Sequence, residues 1–159
     1  MERIFQILEQ NAQFSPEQIA TMVGMSVTEV ERIIKQAERD KTILKYKTII
    51  DWLKLGREEV WALVEVKVMP QKDLGFDSIA EHIYRFPEVH SCYLVSGTYD
   101  LAILVRGKNM QEVASFISEK LAPLEKVQST VTHFLLKRYK DDGEILQPVE
   151  EVKRLPIMP

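Results

Sequence analysis

The sequence predicts an α+β protein in two parts, a winged-like helix-turn-helix of three helices followed by a βαββαβ domain. Two short amphipathic helical segments meet at Gly24, and each has its own N-terminal capping residue. The second half instead alternates apolar and polar residues in four segments, with two helical segments between them. Because period 3.6 indicates helices and period 2 indicates strands, the change of period marks a change of architecture.

The helix pair around Gly24 has clear start and stop signals. Ser15 can accept a hydrogen bond from the first turn of one helix, and Ser26 can do the same for the next. Gly24 suits the left-handed residue that often ends a helix. Glu29 follows Ser26 by three positions, which predicts a capping box. We therefore expect a tight turn between two helices, the second running from about Val27 to Asp40.

Two further segments complete the first domain. The segment from Glu2 to Gln10 carries apolar residues at helical spacing, which predicts a first helix. The segment from Ile43 to Ile50 is rich in β-branched and aromatic residues and alternates near its start, which predicts a short wing or connecting strand. We expect the helical domain to span residues 1–50 and a linker to span residues 51–59.

The second half reads as a split ferredoxin-like domain over residues 60–140. Strands are predicted over 60–69, 89–95, 101–106 and 127–138, and helices over 73–85 and 109–121. This βαββαβ order gives an antiparallel sheet with both helices on one face. Residues 141–159 are predicted to be a tail, strand-like in part near Ile145 and Leu146 and loose beyond them.

The face of the sheet opposite the helices is predicted to be uncovered. Trp61 and Leu63 fall on that face by strand alternation. An exposed apolar sheet of this size indicates an interaction surface. We therefore expect a homodimer in which two sheets pack face to face.

Composition limits the functional classes. The 159-residue chain is 45% hydrophobic and 28% charged, as in soluble globular proteins, and no apolar run approaches the roughly 20 residues of a membrane span. The N-terminus begins with amphipathic helix rather than a secretory signal, so we expect a cytoplasmic protein. Cys92 is the single cysteine, which excludes an internal disulfide and a cysteine-rich zinc site. The three histidines have no close metal-ligand spacing, so no metal or cofactor is expected.

Four landmarks occur in a characteristic order. Ile43-Leu44 follows the second helix of the turn, and Leu55-Gly56 precedes the first strand. Gly97-Thr98-Tyr99-Asp100-Leu101 forms a turn, and Thr130-x-Thr132 lies in the last strand. Together they make residues 1–140 similar to the Lrp/AsnC (feast/famine) transcription regulators. The resemblance implies a dimer that assembles further, often to an octamer, and an amino acid or related metabolite bound between effector domains.

The second helix of the turn is the predicted DNA-reading element. Inserted into the major groove of double-stranded DNA, it would point Thr28, Arg32 and Lys35 outward, and Arg32 could pair with a guanine edge. Although the chain carries a net charge of -3, the stretch from Arg32 to Lys47 holds six basic and two acidic residues. Glu29 either accepts a hydrogen bond from a cytosine amine or serves only the helix cap. Lys45 and Lys47 either contact phosphate or are solvated. The predicted DNA-binding residues are Ser26, Thr28, Glu29, Arg32, Lys35, Lys45 and Lys47.

The predicted effector site lies at the hairpin end. Gly97 lets the backbone approach a ligand carboxylate, whose charge the turn N–H groups could bind. Asp100 could hold a ligand ammonium; alternatively, Gly97 serves only the turn and Asp100 only caps it. Tyr99 suits interface packing as well as ligand stacking. The predicted effector-binding residues are Ser96, Gly97, Thr98, Tyr99, Asp100, Thr130 and Thr132.

Two other functions are compatible with this architecture. The same overall fold resembles siroheme decarboxylases, in which His133 and Arg106 could serve near a tetrapyrrole. A third alternative is an effector-binding assembly protein with a vestigial DNA-binding domain. The sequence has no nucleophile–base signature and no glycine-rich phosphate loop, so the main prediction is a regulator and not an enzyme.

Overall fold

A computed structural model describes residues 1–69 and 75–146. The chain divides into two compact units, Met1–Ile50 and Asp51–Pro159. Residues 51–59, predicted to be a linker, therefore fall in the second unit. Within the described ranges, no helix is long and apolar enough to cross a membrane. The predicted end of the first strand at Pro70 and the loose tail beyond Leu146 lie outside the described residues.

The first unit contains the three predicted helices. They are α1 (Glu2–Gln10), α2 (Pro16–Val23) and α3 (Val27–Arg39). Gly24 has a φ of +70°, so a residue that tolerates left-handed backbone is needed where α2 ends. Small Ala20 is 4% exposed and packs in a core with Ile4, Ile19 and Val30. The helix-turn-helix prediction is confirmed at the level of backbone and core.

Both predicted N-caps, Ser15 and Ser26, are confirmed, but the capping box lies at α2 rather than at α3. At α2, Ser15 Oγ accepts from the backbone N–H of Gln18, and the Gln18 side chain accepts from the Ser15 N–H, which completes a capping box. At α3, Ser26 Oγ accepts from the Glu29 N–H at 3.3 Å. The Glu29 carboxylate instead pairs with Arg32, because the guanidinium one turn further along α3 attracts it more strongly than a neutral N–H. The predicted capping box at Ser26 is therefore wrong.

The predicted wing strand is also wrong. Residues 43–50 form neither helix nor strand. The Ile43 N–H donates to the Ala37 carbonyl, and the Tyr46 hydroxyl donates to Glu38, so both hydrogen bonds return to α3. A strand needs a paired neighbour to satisfy its backbone, and the described part of this unit supplies none. The β-prone composition alone did not decide the conformation.

The second unit is an α+β domain whose predicted fold class is confirmed. A 3-10 turn at Trp52–Leu55 precedes the sheet, and a π-helical turn at Ile117–Leu121 follows the second helix of the unit. The main elements are β1 (Val60–Val68), α4 (Asp77–Tyr84), β2 (Val89–Leu94), β3 (Leu101–Gly107), α5 (Met110–Phe116) and β4 (Val127–Phe134). The strands pair in the antiparallel order β2-β3-β1-β4.

One face of the sheet packs against the helices. Alternate residues of β1 and β3, such as Val64 and Ile103, are fully buried there. Ile83 of α4 and Val113 of α5 join the same cluster. This burial explains why the two helices lie on one side, since the alternating strands offer one continuous apolar face.

The opposite face of the sheet, which we call the open face, carries the other residues of the same strands. Leu63 is half-buried there, while Tyr93 and Val131 are 60% and 51% exposed. Trp61 lies on this face as predicted but is only 7% exposed. The guanidinium of Arg138 lies 4.4 Å from its ring centroid, and the ring of His90 packs edge-on at 4.8 Å. Trp61 is therefore covered within its own chain.

The last strand of the sheet is shorter than predicted. β4 stops at Phe134 rather than Arg138, and the final hydrogen bond between β4 and β1 runs from the Leu135 N–H to the Trp61 carbonyl. The predicted strand-like segment near Ile145 is confirmed, because β5 (Lys140–Asp141) and β6 (Glu144–Ile145) form a small hairpin. Asp142 and Gly143 both have positive φ, as the favoured two-residue hairpin turn requires.

Candidate DNA-binding and effector sites

The exposed face of α3 presents three of the predicted DNA-binding residues. Thr28 is exposed, and the side chains of Arg32 and Lys35 are 61% and 64% exposed. The buried residues Val30, Ile33 and Ala37 occupy the opposite side of the helix, in the core of the unit. Because the apolar stripe points inward, the basic side chains face outward as the helical spacing predicts.

Each of the two basic groups is paired with an acid on the same helix. Arg32 donates from Nη2 and Nε to the two Glu29 oxygens, at 2.7 and 3.0 Å. Lys35 donates to Glu31 at 3.1 Å. The hydrogen bond from Arg32 holds the pKa of Glu29 below its ordinary value. α3 thus presents ion pairs rather than bare cations, and contact with phosphate would require these pairs to open or rotate.

The other predicted DNA-binding residues flank this face. Ser26 is exposed, but its hydroxyl already accepts a hydrogen bond as the cap of α3. Lys45 and Lys47 are exposed and lie in the irregular segment 43–50 rather than on a wing. The structure therefore places all seven predicted residues in the first unit, five on α3 or its cap and two beyond it.

The hairpin between β2 and β3 holds the predicted effector residues 96–100. Ser96, Gly97 and Thr98 are exposed, whereas Tyr99 is half-buried. Gly97 has a φ of +152°, at the edge of the region that favours glycine. The exposed part of this turn leaves its backbone accessible to a ligand.

Asp100 is bound to β1. One carboxylate oxygen accepts from the Val68 backbone N–H at 3.0 Å, and the other accepts from Lys67 Nζ at 3.2 Å. The backbone N–H of Asp100 also donates to the Val66 carbonyl. The Val68 N–H is the main cause that lowers the pKa of Asp100, with Lys67 adding to it, so the carboxylate is ionised at neutral pH. Asp100 therefore has a structural role, but its carboxylate binds the neighbouring strand β1 rather than capping its own turn.

Thr130 and Thr132 are not adjacent to that hairpin. They pair with Val66 and Val64 of β1 across the sheet from β3, so β1 separates them from Asp100. Two strand spacings amount to about 10 Å. The structure instead places Lys67 beside Asp100. Lys67 was not predicted as a site residue, because the sequence indicates only that it lies on the open face of β1, two residues after Glu65.

Arg106 and His133 lie on the open face, on either side of β1. Arg106 Nη1 is 3.9 Å from Glu59, and His133 Nε2 is 3.2 Å from Glu65. No group of three or more potential metal ligands among His, Cys, Asp and Glu occurs in the described part of the chain. Burial raises the pKa of the Cys92 thiol, as expected for a packed rather than a reactive cysteine.

Comparisons with known proteins identify the family. Residues 61–145 match the Lrp/AsnC ligand binding domain. An uncharacterized HTH-type transcriptional regulator of Bacillus subtilis, YugG, is 47% identical over 157 residues, covering 98% of this chain and 95% of that protein. The proline dehydrogenase transcriptional activator of Rhizobium radiobacter is 23% identical, covering 89% of this chain and 90% of its own. The names of these relatives agree with the predicted class of transcriptional regulator.

Solved structures agree on the fold. The leucine response regulatory protein of Mycobacterium tuberculosis has a TM-score of 0.73 at 20% identity, covering 91% of this chain and 96% of that one. A transcriptional regulator of Neisseria meningitidis, solved as an L-Met complex, has a TM-score of 0.70 at 23% identity, covering 87% and 89%. The predicted resemblance is confirmed: this chain belongs to the Lrp/AsnC family of transcriptional regulators.

Proposed function

We propose that this protein is a sequence-specific DNA-binding transcriptional regulator whose operator affinity or assembly is modulated by an amino acid or a related metabolite. The observation that carries the proposal is the exposed face of α3, with Arg32 and Lys35 directed away from the core of a helix-turn-helix. The membership in the Lrp/AsnC family supports it, because the 47% identical relative is named an HTH-type regulator. It acts in the cytoplasm.

The N-terminal half of α3 enters the major groove. Arg32 exchanges Glu29 for a guanine edge, and Lys35 exchanges Glu31 for a phosphate. Both pairs are exposed, and exposed pairs are weak, so the exchange costs little. Ser26, Thr28, Lys45 and Lys47 add contacts to phosphate or base.

A homodimer brings two copies of α3 to one operator. The half-buried and exposed apolar residues of the open face, Leu63, Tyr93 and Val131, pack against their counterparts in a second copy. Two-fold symmetry then requires two half-sites about one helical turn apart or a multiple of it. Dimers assemble further, up to an octamer, and binding of the metabolite shifts the equilibrium between these assembly states.

The effector binds at the hairpin 96–100. Backbone N–H groups near Gly97 receive the carboxylate of an amino acid, and Asp100 receives its ammonium. Asp100 has lone pairs left beyond its bonds to Val68 and Lys67, since a carboxylate accepts about four hydrogen bonds. The L-Met complex of a protein with the same fold supports an amino acid as the class of effector. Thr130 and Thr132 are left out of the proposed site, because β1 separates them from Asp100.

A gel-shift on the promoter of the protein's own gene tests the DNA-binding part of the proposal. We expect a retarded complex that survives excess unrelated duplex, and an amino acid that changes the amount or the size of the complex. Retardation that unrelated duplex abolishes at equal concentration would contradict a sequence-specific regulator.

A thermal-shift screen with the standard amino acids tests the effector part. The amino acid that raises the melting temperature is then titrated against Asp100→Asn and Lys67→Met. Both variants lose the ion pair, but only Asp100→Asn loses the group proposed to hold the ammonium. We expect the shift to persist in Lys67→Met and to vanish in Asp100→Asn; equal loss in both would assign Asp100 a structural role only.

A further inference from the structure

A carboxylate lies among apolar side chains on the open face of the sheet, that of Glu65. β1 is an interior strand, and the register places Glu65 opposite Ala102 of β3 on one side and Val131 of β4 on the other. Tyr93 of β2 lies opposite Ala102, and Leu63 is two residues from Glu65 along β1. Glu65 therefore lies inside the apolar patch of Leu63, Tyr93 and Val131 and not at its edge.

The partner of Glu65 on this face is His133 of the edge strand β4. The ring Nε2 of His133 lies 3.2 Å from a Glu65 oxygen, and the two side chains are 50% and 28% exposed. Imidazole is the unperturbed side chain that changes charge between about pH 5 and 8. The contact is an ion pair when the ring is protonated and a weaker hydrogen bond from a neutral donor when it is not. The positive charge beside Glu65 therefore depends on pH.

Other charged or titratable groups on or beside the open face have partners of their own. They are Lys67, which donates to Asp100 at 3.2 Å, Arg106, which is 3.9 Å from Glu59, Arg138, which donates to Asp141 at 2.9 Å, and His90, whose ring packs edge-on against Trp61 at 4.8 Å. Tyr93 is a phenol, which is neutral over the range in which imidazole titrates. Moving one of these cations to Glu65 would break an existing contact, whereas His133 already lies beside it.

The proposed homodimer covers this pair, and the inference rests on that part of the proposed function. Leu63, Tyr93 and Val131 surround Glu65, so packing them against a second copy removes the Glu65 carboxylate from water. An ionised carboxylate taken out of water is destabilising unless a cation and hydrogen bonds compensate it. A two-fold interface presents the same patch from both copies, so each dimer contains two such carboxylates.

We propose that His133 and Glu65 couple dimerisation to the uptake of protons. His133 binds a proton as the two open faces meet, and the resulting imidazolium compensates the Glu65 carboxylate in the interface. The dimer then holds more protons than two separate protomers do. Proton linkage requires that the dimer becomes more stable as the pH falls through the imidazole range and less stable as the pH rises above it. A small fall in pH near neutrality thereby strengthens the dimer that reads the two half-sites.

Sedimentation velocity of the full chain, without DNA or amino acid and at constant ionic strength, measures the dissociation constant of the dimer and separates dimers from larger assemblies. We expect this constant to be at least about tenfold lower at about pH 6 than at about pH 8. Dilution calorimetry in two buffers of different ionisation enthalpy should show that protons are released as the dimer dissociates. For a dimer too stable to dissociate, the exchange of labelled and unlabelled subunits should be about tenfold slower at the lower pH.

Matched substitutions locate the proton. Glu65→Gln keeps the shape and removes the charge, so the dimer should persist with a dissociation constant that varies less than about threefold over the same pH range. His133→Gln removes the titrating group and leaves the carboxylate without its cation, so the dimer should be weak at both pH values. The control His82→Gln lies on α4, against Phe86 and on the helix-covered side of the sheet, and should retain the wild-type pH dependence. Thermal unfolding verifies that each variant is folded.

The possible failures are distinguishable. A dimer with the same dissociation constant at both pH values would overturn the coupling and leave the proposed homodimer intact. Wild-type pH dependence in a folded Glu65→Gln or His133→Gln variant would assign the proton to another group, such as His90, and would also overturn the proposal. A protein that stays monomeric at both pH values and at high concentration would contradict the homodimer itself, and this inference with it.

Discussion

The outer face of α3 and the hairpin before β3 hold their charged groups in opposite ways. On α3, Arg32 is 61% exposed, and its partner is a carboxylate one turn away on the same helix. At the hairpin, Asp100 is 17% exposed, and it is bound to Lys67 and to the backbone of Val68 in another strand. The first arrangement is local and solvated, whereas the second joins two strands that are distant in sequence.

This difference indicates which charged groups can exchange their partners for DNA and which ones stabilise the fold. An exposed pair within one helix contributes little to folding, so its cation can exchange partners. A largely covered carboxylate that accepts a backbone N–H is costly to remove, because the donor is left unpaired. We therefore expect changes on α3 to alter DNA binding without altering stability, and changes at Asp100 to alter stability first.

The largest expected effect is on operator affinity. Arg32→Ala combined with Lys35→Ala should lower affinity about a hundredfold in a fluorescence-anisotropy titration, because one base contact and one phosphate contact are lost. The melting temperature should remain nearly the same. The control Arg85→Ala breaks a comparable exposed pair on α4 and should change neither quantity. Unchanged operator affinity in the double variant would remove α3 from the interface.

The next effect is on stability. Asp100→Asn should lower the free energy of unfolding by about 1–2 kcal/mol in urea titrations, because the charge-assisted bonds to Val68 and Lys67 are weakened. Glu125→Gln, an exposed acid in a loop, is the control and should have little effect. If the two variants have the same free energy of unfolding, Asp100 contributes no more to stability than a surface acid does.

The pH dependence of stability gives a smaller effect of the same origin. The pKa of Asp100 is lowered in the folded protein, so its contribution is fully present above the ordinary pKa of an aspartate. That contribution is lost as the pH falls below about 4 and passes through the lowered folded value. Asp100→Asn should therefore show a flatter loss of stability in this acidic range than the wild-type protein. Parallel curves would argue against an ionised Asp100 in the fold.

The smallest effect sharpens the description of α3. Glu29→Gln removes a negative charge beside the DNA and releases Arg32 from its pair, so operator affinity should rise about threefold at low salt. Glu81→Gln, which releases Arg85 on α4, is the matched control and should leave affinity unchanged. A fall in affinity with Glu29→Gln would mean that Glu29 orients Arg32 or contacts the DNA itself.

The parts of the fold that were predictable depend on short-range signals. Ser15 and Gly24 mark the ends of α2, and alternating apolar residues mark β1 from Val60 to Val68. Capping and periodicity act over a few residues, so they can be recognised without knowing the rest of the structure. The hairpin turn at Asp142-Gly143 carries such a signal as well, because an Asp-Gly pair favours the positive φ values that a two-residue turn requires.

The errors concern choices between competing partners. Residues 43–50 have β-prone composition but remain irregular, because strand formation needs a neighbour. Glu29 was placed in a capping box, but it pairs with Arg32 instead. Both outcomes depend on which group is closest in three dimensions, which composition and spacing do not specify.

The order of helices and strands, the turn at Gly24 and the outward direction of Arg32 were determined by the sequence alone, since each follows from neighbouring residues. Tertiary structure decided that Asp100 meets Lys67, that β1 separates it from Thr130, and that His133 meets Glu65. Strand register and chain crossing set these contacts between residues far apart in the chain. Local periodicity specifies which face a side chain occupies, but only the assembled sheet specifies its neighbour.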